Sequence, residues 1–205
     1  MRRKSSTKQD WIIRQVTEEN IEQVVGFIND TRHQMFAGLV WKGAPLADST
    51  HRLVRTGWFV AAYERPALLQ EGGSQDLRLV GTVGIVPYNH RFPQLKLSNL
   101  RTVEVVRLFV VPDCRRCGLG TLMVDSLCKE ARSSDIDCLY LHTHPFLQGA
   151  SEFWSKMGFR TVDVDREDAV WQTTHMIKIP KMSKSWSWLW TKARGSFREF
   201  RRASV

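Results

Sequence analysis

Hydrophobic residues recur along this chain with two different spacings, which predict the helices and the strands. In residues 17–30 the apolar positions lie three or four apart after an acidic first turn, which predicts a helix capped by Thr17. A second helix is predicted after Gly118, and a third over residues 149–159 with Gly158 as its stop. Runs rich in β-branched and aromatic residues predict strands over 58–64, 77–88, 102–112 and 138–143, followed by a closing hairpin over 160–180.

The predicted elements follow one another as a helix, three strands, a helix, a strand, a helix and two strands. Helices interleaved with strands in this way indicate an α/β or α+β domain with a mixed sheet. Residues 31–57 have a mixed pattern, part of which fits a loop over a pocket or a short helix, and residues 67–76 fit a connecting loop. We expect one domain over residues 10–180, between a flexible basic arm (1–9) and a basic, tryptophan-rich tail (181–205).

Composition supports a single sizeable core and restricts the classes of partner. The chain has 205 residues, of which 42% are hydrophobic, and no run approaches the ~20 apolar residues of a membrane span. The formal net charge is +9, but the tail carries seven Lys or Arg against one acid, so it holds +6 and the rest only +3. A mildly basic domain argues against specific nucleic-acid binding by the domain itself.

The N-terminal residues and the cysteines favour a reducing compartment. The first ten residues are basic but precede no apolar stretch of signal-peptide length, so we expect a cytoplasmic protein, with the nucleus left open. In such a compartment the four cysteines are expected to be reduced thiols. Two of them form a C-x-x-C spacing, but the other two fall singly on separate predicted elements, so no metal site is predicted (Cys114, Cys117, Cys128, Cys138).

The segment 110–123 carries the clearest chemical signal in the chain. A strand end and Pro112 are followed by two arginines, two glycines and an amphipathic helix. The first amides of a helix are unpaired and carry partial positive charge, and glycines let a phosphate approach them closely. The spacing matches neither the nucleotide-triphosphate loop nor the dinucleotide loop. A phosphate-binding turn is therefore favoured over a metal site, a basic nucleic-acid patch or a plain solvated turn.

This segment resembles the acetyl-CoA-binding motif of the GNAT superfamily of N-acetyltransferases. The family pattern Q/R-x-x-G-x-G/A stands here as residues 115–120, preceded by "LFVVP" (108–112), which is similar to the family's strand end. Downstream, "ASEFWSKMGF" (150–159) resembles a conserved helix of the same family. The resemblance implies a mixed, mostly antiparallel sheet of about six to seven strands with helices on both faces.

The resemblance also implies where acetyl-CoA binds. Backbone amides of the turn would hold the pyrophosphate, and the strand at Phe109 and Val110 would pair with the pantetheine arm. Trp154 occupies a position of the family's downstream helix and is assigned to the cofactor site as well. The predicted turn residues are Arg115, Arg116, Cys117, Gly118, Leu119, Gly120 and Thr121.

Glu104 is the predicted general base. Acetylation requires an ammonium group to lose a proton, and a carboxylate within an otherwise apolar strand is costly unless it is paired or functional. In family members with a glutamate base, that residue precedes the motif by eleven positions, as Glu104 precedes Arg115. A strand-end carboxylate paired with a lysine or with water is the alternative. Strand alternation predicts that Glu104 and Arg107 point to opposite faces.

The general acid is not assigned by the resemblance. Many family members have a tyrosine where this chain has Trp154, and an asparagine where it has Leu147. Tyr140, His142 and His144 share one face of a predicted strand and are the candidates to act on the leaving group. Unassisted departure of the thiolate is the other alternative, because an alkyl thiol has a pKa of about 8.5.

The sequence therefore predicts an N-acetyltransferase that acts on a primary amine of a small molecule or peptide. A coenzyme-A-binding module without efficient catalysis is the alternative, because Trp154 and Leu147 depart from the family pattern. Segments 30–57 and 88–101 are expected to shape the acceptor site, in which His33, Met35, Phe36 and Trp41 could take part. The tail has apolar residues at helical spacing between cations, which fits an anionic membrane surface or an acidic partner, and homodimer formation is left open.

Overall fold

The computed structural model describes residues 11–35, 46–65, 77–167 and 171–180. The predicted N-terminal arm, the loop at 67–76 and the C-terminal tail lie outside these residues, as do Phe36 and Trp41. The predictions made for those segments therefore stay predictions.

Seven strands form one mixed sheet in the order β1-β2-β3-β4-β5-β7-β6. All neighbouring strands are antiparallel except β4 and β5, which run parallel. This agrees with the predicted fold class, a mostly antiparallel sheet of six to seven strands. The strands are β1 (Trp11–Gln15), β2 (Trp58–Glu64), β3 (Arg78–Pro87), β4 (Thr102–Val110), β5 (Cys138–Thr143), β6 (Arg160–Val164) and β7 (Thr174–Lys178).

Two pairs of helices cover the two faces of the sheet. On one face, the apolar stripe of α1 packs with side chains of α2 and of strands β2 and β4. On the other face, α3 and α4 cover a larger cluster that includes residues of β3, β4 and β5. The two clusters bury both faces of the central strands, as expected for a sheet with a parallel pair. The helices are α1 (Ile21–Met35), α2 (Leu46–Thr56), α3 (Leu119–Ser133) and α4 (Ala150–Lys156).

The sequence-based elements agree with the structure in the sheet centre and differ near the N-terminus. The predicted bounds of β2 and β5 match, whereas β1 was not predicted, and helix α2 occupies part of a segment read as mixed. The prediction of Thr17 as the cap of α1 was wrong. The helix begins at Ile21, and the carbonyl of Asn20 accepts the hydrogen bond from the amide of Val24.

A β-bulge interrupts β4 at Arg107. Val106 pairs with Gly84 and Phe109 with Thr82, so β4 has one residue more than β3 across this interval. Arg107 has a backbone φ of +56°, a left-handed conformation that costs a non-glycine residue about 1–2 kcal/mol. The alternation argument that separated Glu104 from Arg107 is therefore invalid, because the period of two does not hold through the bulge.

Strands β4 and β5 separate after a short parallel contact. They pair only from Thr102 to Glu104 on β4 and from Cys138 to Tyr140 on β5. Beyond that point β4 stays paired with β3, and β5 stays paired with β7. The sheet therefore has a cleft between its two central strands, and Glu104 and Tyr140 lie where the cleft begins.

Gly57 connects α2 to β2 at a point where the backbone is tightly packed. A Cβ atom there would lie 2.7 Å from the carbonyl oxygen of Ile85 and 2.8 Å from side-chain atoms of Phe59 and Val86. We expect Gly57→Ala to destabilise the protein by about 1–3 kcal/mol in urea unfolding, because the carbonyl cannot move without disturbing β3. Gly26, on the exposed side of α1, is the control, since its Cβ would meet nothing within 4 Å. Gly26→Ala should stabilise by about 0.5–1 kcal/mol, and equal effects of the two variants would contradict the packing argument.

Candidate active site

The turn before α3 presents unpaired backbone amides. Arg116 and Gly118 have φ values of +65° and +92°, and the carbonyl of Gly118 accepts the first hydrogen bond of the helix from Leu122. No backbone carbonyl of a described residue accepts from the amides of residues 116–121. Successive free amides beside left-handed residues form a concave site that binds anions. The turn therefore has free amides that a phosphate could contact, and its role in cosubstrate binding stays a prediction.

The side chains of the turn have separate roles. Arg115 bends back onto β4, where its Nε donates to the carbonyl of Val110 at 2.9 Å, whereas the exposed Arg116 has no such bond. Leu119 is buried in the core, and Gly120 allows α3 to pack closely, because a Cβ there would lie 3.4 Å from the ring of Phe153. The exposed Cys117 donates its thiol to the carbonyl of Cys114 at 2.7 Å. Arg116 is thus the charged side chain of the turn that stays available to a phosphate.

The end of β4 borders the cleft. Phe109 is buried under α1 and α2, and both Phe109 and Val110 pair with β3 on one side. On the other side β5 has already diverged. This leaves a strand edge with which an extended ligand could pair, as was predicted for the pantetheine arm.

Glu104 is buried and held by two cationic or donor side chains. It is 5% exposed, and Arg91 donates to its two oxygens at 2.6 and 2.7 Å. Nδ1 of His142 lies 3.0 Å from Oε1 of the same carboxylate. Burial raises the pKa of Glu104, but the hydrogen bonds from His142 and Arg91 outweigh it and bring the pKa from 4.5 to about 2. Glu104 is therefore a permanent anion at neutral pH.

His142 lies beside this carboxylate and is partly exposed. Its side chain is 34% exposed, and no described residue forms a hydrogen bond with its Nε2 atom. The shorter contact of Nδ1 is with Glu104, and Arg91 lies farther away at 3.5 Å. A proton on Nδ1 that is donated to the carboxylate leaves Nε2 as an acceptor.

Tyr140 occupies a different environment, although it shares the strand face with His142 as predicted. It is fully buried, and its hydroxyl lies 2.8 Å from Nδ1 of the buried His175. Burial lowers the pKa of His175, so its neutral ring can accept a hydrogen bond from the phenolic hydroxyl. Burial, and after it the charge of Glu104, raises the pKa of Tyr140. Just beyond the end of β5, Nδ1 of His144 lies 3.0 Å from the carbonyl oxygen of Trp171.

Trp154 is part of the core beneath the cleft. Its ring is 8% exposed and packs edge-on against Phe153 and Phe159, each at a centroid distance of 5.1 Å. Its assignment to the cofactor site stays a prediction. The apolar contacts explain why an indole is tolerated at this position of α4.

Two arginines of the site have no counterpart in the sequence-based prediction. Arg91 lies in the connection before β4 and was missed, although a buried carboxylate requires a cation. Arg32 was missed on α1, where it follows Ile28 by one helical turn and is 5% exposed. A cation on the apolar stripe of a helix was the available signal for Arg32.

Metal binding and membrane crossing have no support in the part of the chain described. No group of three or more His, Cys, Asp or Glu side chains there is arranged to hold a metal ion. No helix within the same ranges is both long and apolar enough to cross a membrane.

A sheet split beside a turn with free amides could hold an extended, phosphorylated ligand between its central strands. The family model "Acetyltransferase (GNAT) family" matches residues 32–159. The chain therefore belongs to the GNAT acetyltransferase family. This confirms the resemblance and the fold class, and it agrees with the predicted enzyme class, an acyl-CoA N-acyltransferase. Solved structures of the same fold contain coenzyme A or acetyl-CoA, which is consistent with the predicted cosubstrate.

Individual relatives agree with this classification. The chain is 31% identical over 71 residues to "Probable N-acetyltransferase san" of Drosophila melanogaster, a match over 34% of this chain and 39% of that protein. PaiA N-acetyltransferase of Thermoplasma acidophilum, solved with coenzyme A, has a TM-score of 0.55 at 16% identity, covering 83% of this chain and 99% of the other. NAA60 of Arabidopsis thaliana, solved with acetyl-CoA, has a TM-score of 0.60 at 15% identity, covering 83% and 98%. These structural likenesses establish the fold.

Gly118 allows a direct test of the phosphate site. We expect Gly118→Asp to weaken acetyl-CoA binding at least tenfold in calorimetry, because a carboxylate would be placed among the amides that hold the phosphates. Gly158 is the matched control, since it also has a left-handed φ of +85° but lies at the C-terminal end of α4. Gly158→Asp should retain the wild-type affinity. Unchanged affinity in Gly118→Asp would rule out this turn as the phosphate site.

Glu104 should make stability depend on acidic pH. Its folded pKa of about 2 lies below the ordinary 4.5, so its stabilising effect is complete above pH 4.5 and is lost as the pH falls towards 2. The loss is on the order of 3 kcal/mol, and Glu104→Gln should remove that part of the pH dependence in urea unfolding between pH 4.5 and 2.5. Glu18→Gln, at a carboxylate 72% exposed and paired with Arg55, should follow the wild type. A Glu104→Gln curve parallel to the wild type would contradict the ion-pair argument.

Proposed function

We propose that this protein transfers the acetyl group of acetyl-CoA to a primary amine of a small molecule or peptide by direct attack. The observation that carries the proposal is the Glu104–His142 pair. The pair lies where β4 and β5 separate, and β4 leads to the proposed phosphate-binding turn. The relatives named as N-acetyltransferases support a nitrogen acceptor.

The cosubstrate would lie along the cleft between β4 and β5. The amides of residues 116–121 and the side chain of Arg116 would hold its phosphates, and the free edge of β4 near Phe109 and Val110 would pair with its pantetheine arm. Acetyl-CoA supplies the thioester-activated acetyl group. The residues of this chain fix its position and handle the proton of the acceptor.

Glu104 and His142 would act together as the base. A carboxylate with a pKa of about 2 is a poor acceptor for an ammonium proton, which argues against proton uptake by Glu104 itself. His142 can take the proton on Nε2, while Glu104 holds Nδ1 and stabilises the resulting positive ring. This is the arrangement of an oriented imidazole base, and Arg91 keeps the carboxylate in place.

Departure of the thiolate needs no strong acid from this chain. The hydroxyl of Tyr140 is buried and already bonded to His175, so its predicted role as acid lacks a clear path to the cleft. The proton received by His142 can pass to the departing sulfur, whose pKa in free thiols is about 8.5. Under this proposal one imidazole serves both halves of the transfer.

A coenzyme-A-binding module without turnover is the second candidate. The observation that favours it is the pair of departures at Leu147 and Trp154, where the family's asparagine and tyrosine are absent. Acetyl-CoA binding alone does not separate the two candidates. Catalysis that depends on His142 does.

Substitution of His142 tests the proposed function. We expect His142→Gln to reduce kcat by about 10²- to 10⁴-fold for an acetylated amine, with little change in the KM for acetyl-CoA, because glutamine cannot accept the proton. Thiol release from acetyl-CoA with a panel of primary amines provides the measurement.

His144 is the matched control for this substitution, since it is a histidine two residues farther along the chain, just beyond the end of β5. His144→Gln should retain most of the activity. If His142→Gln is as active as the wild type, His142 is not the base. If the wild type binds acetyl-CoA and acetylates no amine, the binding-module alternative is correct.

A further inference from the structure

Two arginines near the cleft are not used by the proposed transfer. Arg32 of α1 is buried, and its Nη1 lies 3.5 Å from the hydroxyl of Thr50, which in turn donates to Asn29 at 2.7 Å. Arg107 lies at the bulge of β4, three residues beyond Glu104. Both belong to the face of the sheet that α1 and α2 cover.

The guanidinium of Arg107 has no protein partner among the described residues. Its Nε atom is buried without a hydrogen bond, and no ion pair joins the side chain to a described carboxylate. Arg91 provides the contrast, because both oxygens of Glu104 accept from its guanidinium. The planar guanidinium of an arginine is suited to bidentate binding of a carboxylate.

The bulge places Arg107 within the reacting region. It lies on the part of β4 from which β5 has separated, between the Glu104–His142 pair and the strand end at Val110. Bulges redirect a side chain that regular alternation would point elsewhere. The strained backbone at Arg107 therefore carries a cationic donor at the bulge, close enough to Glu104 and Arg32 for their charges to act on it.

The local charge around Arg107 is unbalanced. Burial lowers the pKa of Arg107 to about 10, and the nearby charge of Arg32 lowers it further, so the side chain stays positive at neutral pH. The carboxylate of Glu104 is near, but it is already bonded to Arg91 and His142. An additional negative charge in this position would be stabilised.

We propose that Arg107 determines acceptor specificity by binding a carboxylate of the amine substrate. The inference rests on the proposed acetyltransferase function and narrows its acceptor to amines that also carry a carboxylate, either amino acids or acidic peptides. The ammonium group of such an acceptor faces His142, and its carboxylate faces Arg107. Arg32 adds positive charge behind this contact.

Bisubstrate analogues test this inference without requiring turnover. In each analogue, coenzyme A is joined through an acetyl linker to an amine, and two matched pairs differ only by carboxylate against carboxamide. One pair carries β-alanine or its amide, and the other carries the dipeptide amide Asp-Ala or Asn-Ala. We expect the wild type to bind the carboxylate member at least tenfold more tightly in one pair, and the responding pair identifies an amino acid or a peptide acceptor.

Variants of Arg107 assign the preference to this side chain. Arg107→Met should bring the affinities within a pair to within about twofold, whereas Arg107→Lys should keep part of the preference because the charge remains. Affinity for coenzyme A alone should stay unchanged in both, which also verifies that the variants are folded. Arg52→Met, at an exposed arginine of α2, is the control and should keep the full preference.

The outcomes separate this inference from the proposed function. Equal affinity of the wild type for both members of both pairs would overturn the role of Arg107, as would an undiminished preference in Arg107→Met. Failure of all four analogues to bind the wild type would overturn the acetyltransferase proposal, and the inference with it.

Discussion

The short parallel contact between β4 and β5 is the constraint on which the rest of this structure depends. Three residue pairs hold the two halves of the sheet together, from Thr102 to Glu104 on one strand and from Cys138 to Tyr140 on the other. A longer contact would close the cleft and remove the free edge of β4. The helices on both faces stabilise the separated strands, since α3 and α4 cover one side and α1 and α2 the other. The cleft therefore depends on the packing of helices against both faces of the sheet and not on a local loop.

The sheet also buries polar side chains at the end of that contact, and their burial costs free energy. Glu104 is buried beside Tyr140, and a buried carboxylate is tolerated only with charged or hydrogen-bonding partners. Arg91 and His142 supply them, which fixes the carboxylate and orients the imidazole at the same time. The stabilising ion pair and the proposed proton acceptor are thus one arrangement. Under our proposal, the carboxylate with its lowered pKa therefore orients the imidazole, and the imidazole takes the proton.

The parts of the structure that could be predicted from sequence are those encoded within one segment. The phosphate-binding turn is defined by residues 115–120, and the central strands by their own apolar runs. Strand β1 was missed because it has five residues and its apolar run ends at Ile13, and α2 because it follows a segment of mixed composition. The partner of Glu104 could not be derived, because Arg91 comes from a separate connection thirteen residues earlier. The bulge at Arg107 likewise arises from the pairing of two strands, and the hydrophobic pattern of neither strand indicates it.

Under the proposals above, the arginines would meet the different demands of the two substrates. Arg116 lies at the turn, where the phosphates of the cosubstrate need positive charge on an exposed surface. Arg91 neutralises a residue of the protein itself. The charge of Arg32 lies near Arg107, and the nearby carboxylate of Glu104 is already bonded to Arg91 and His142. Under our proposal, the negative group that binds Arg107 arrives with the acceptor.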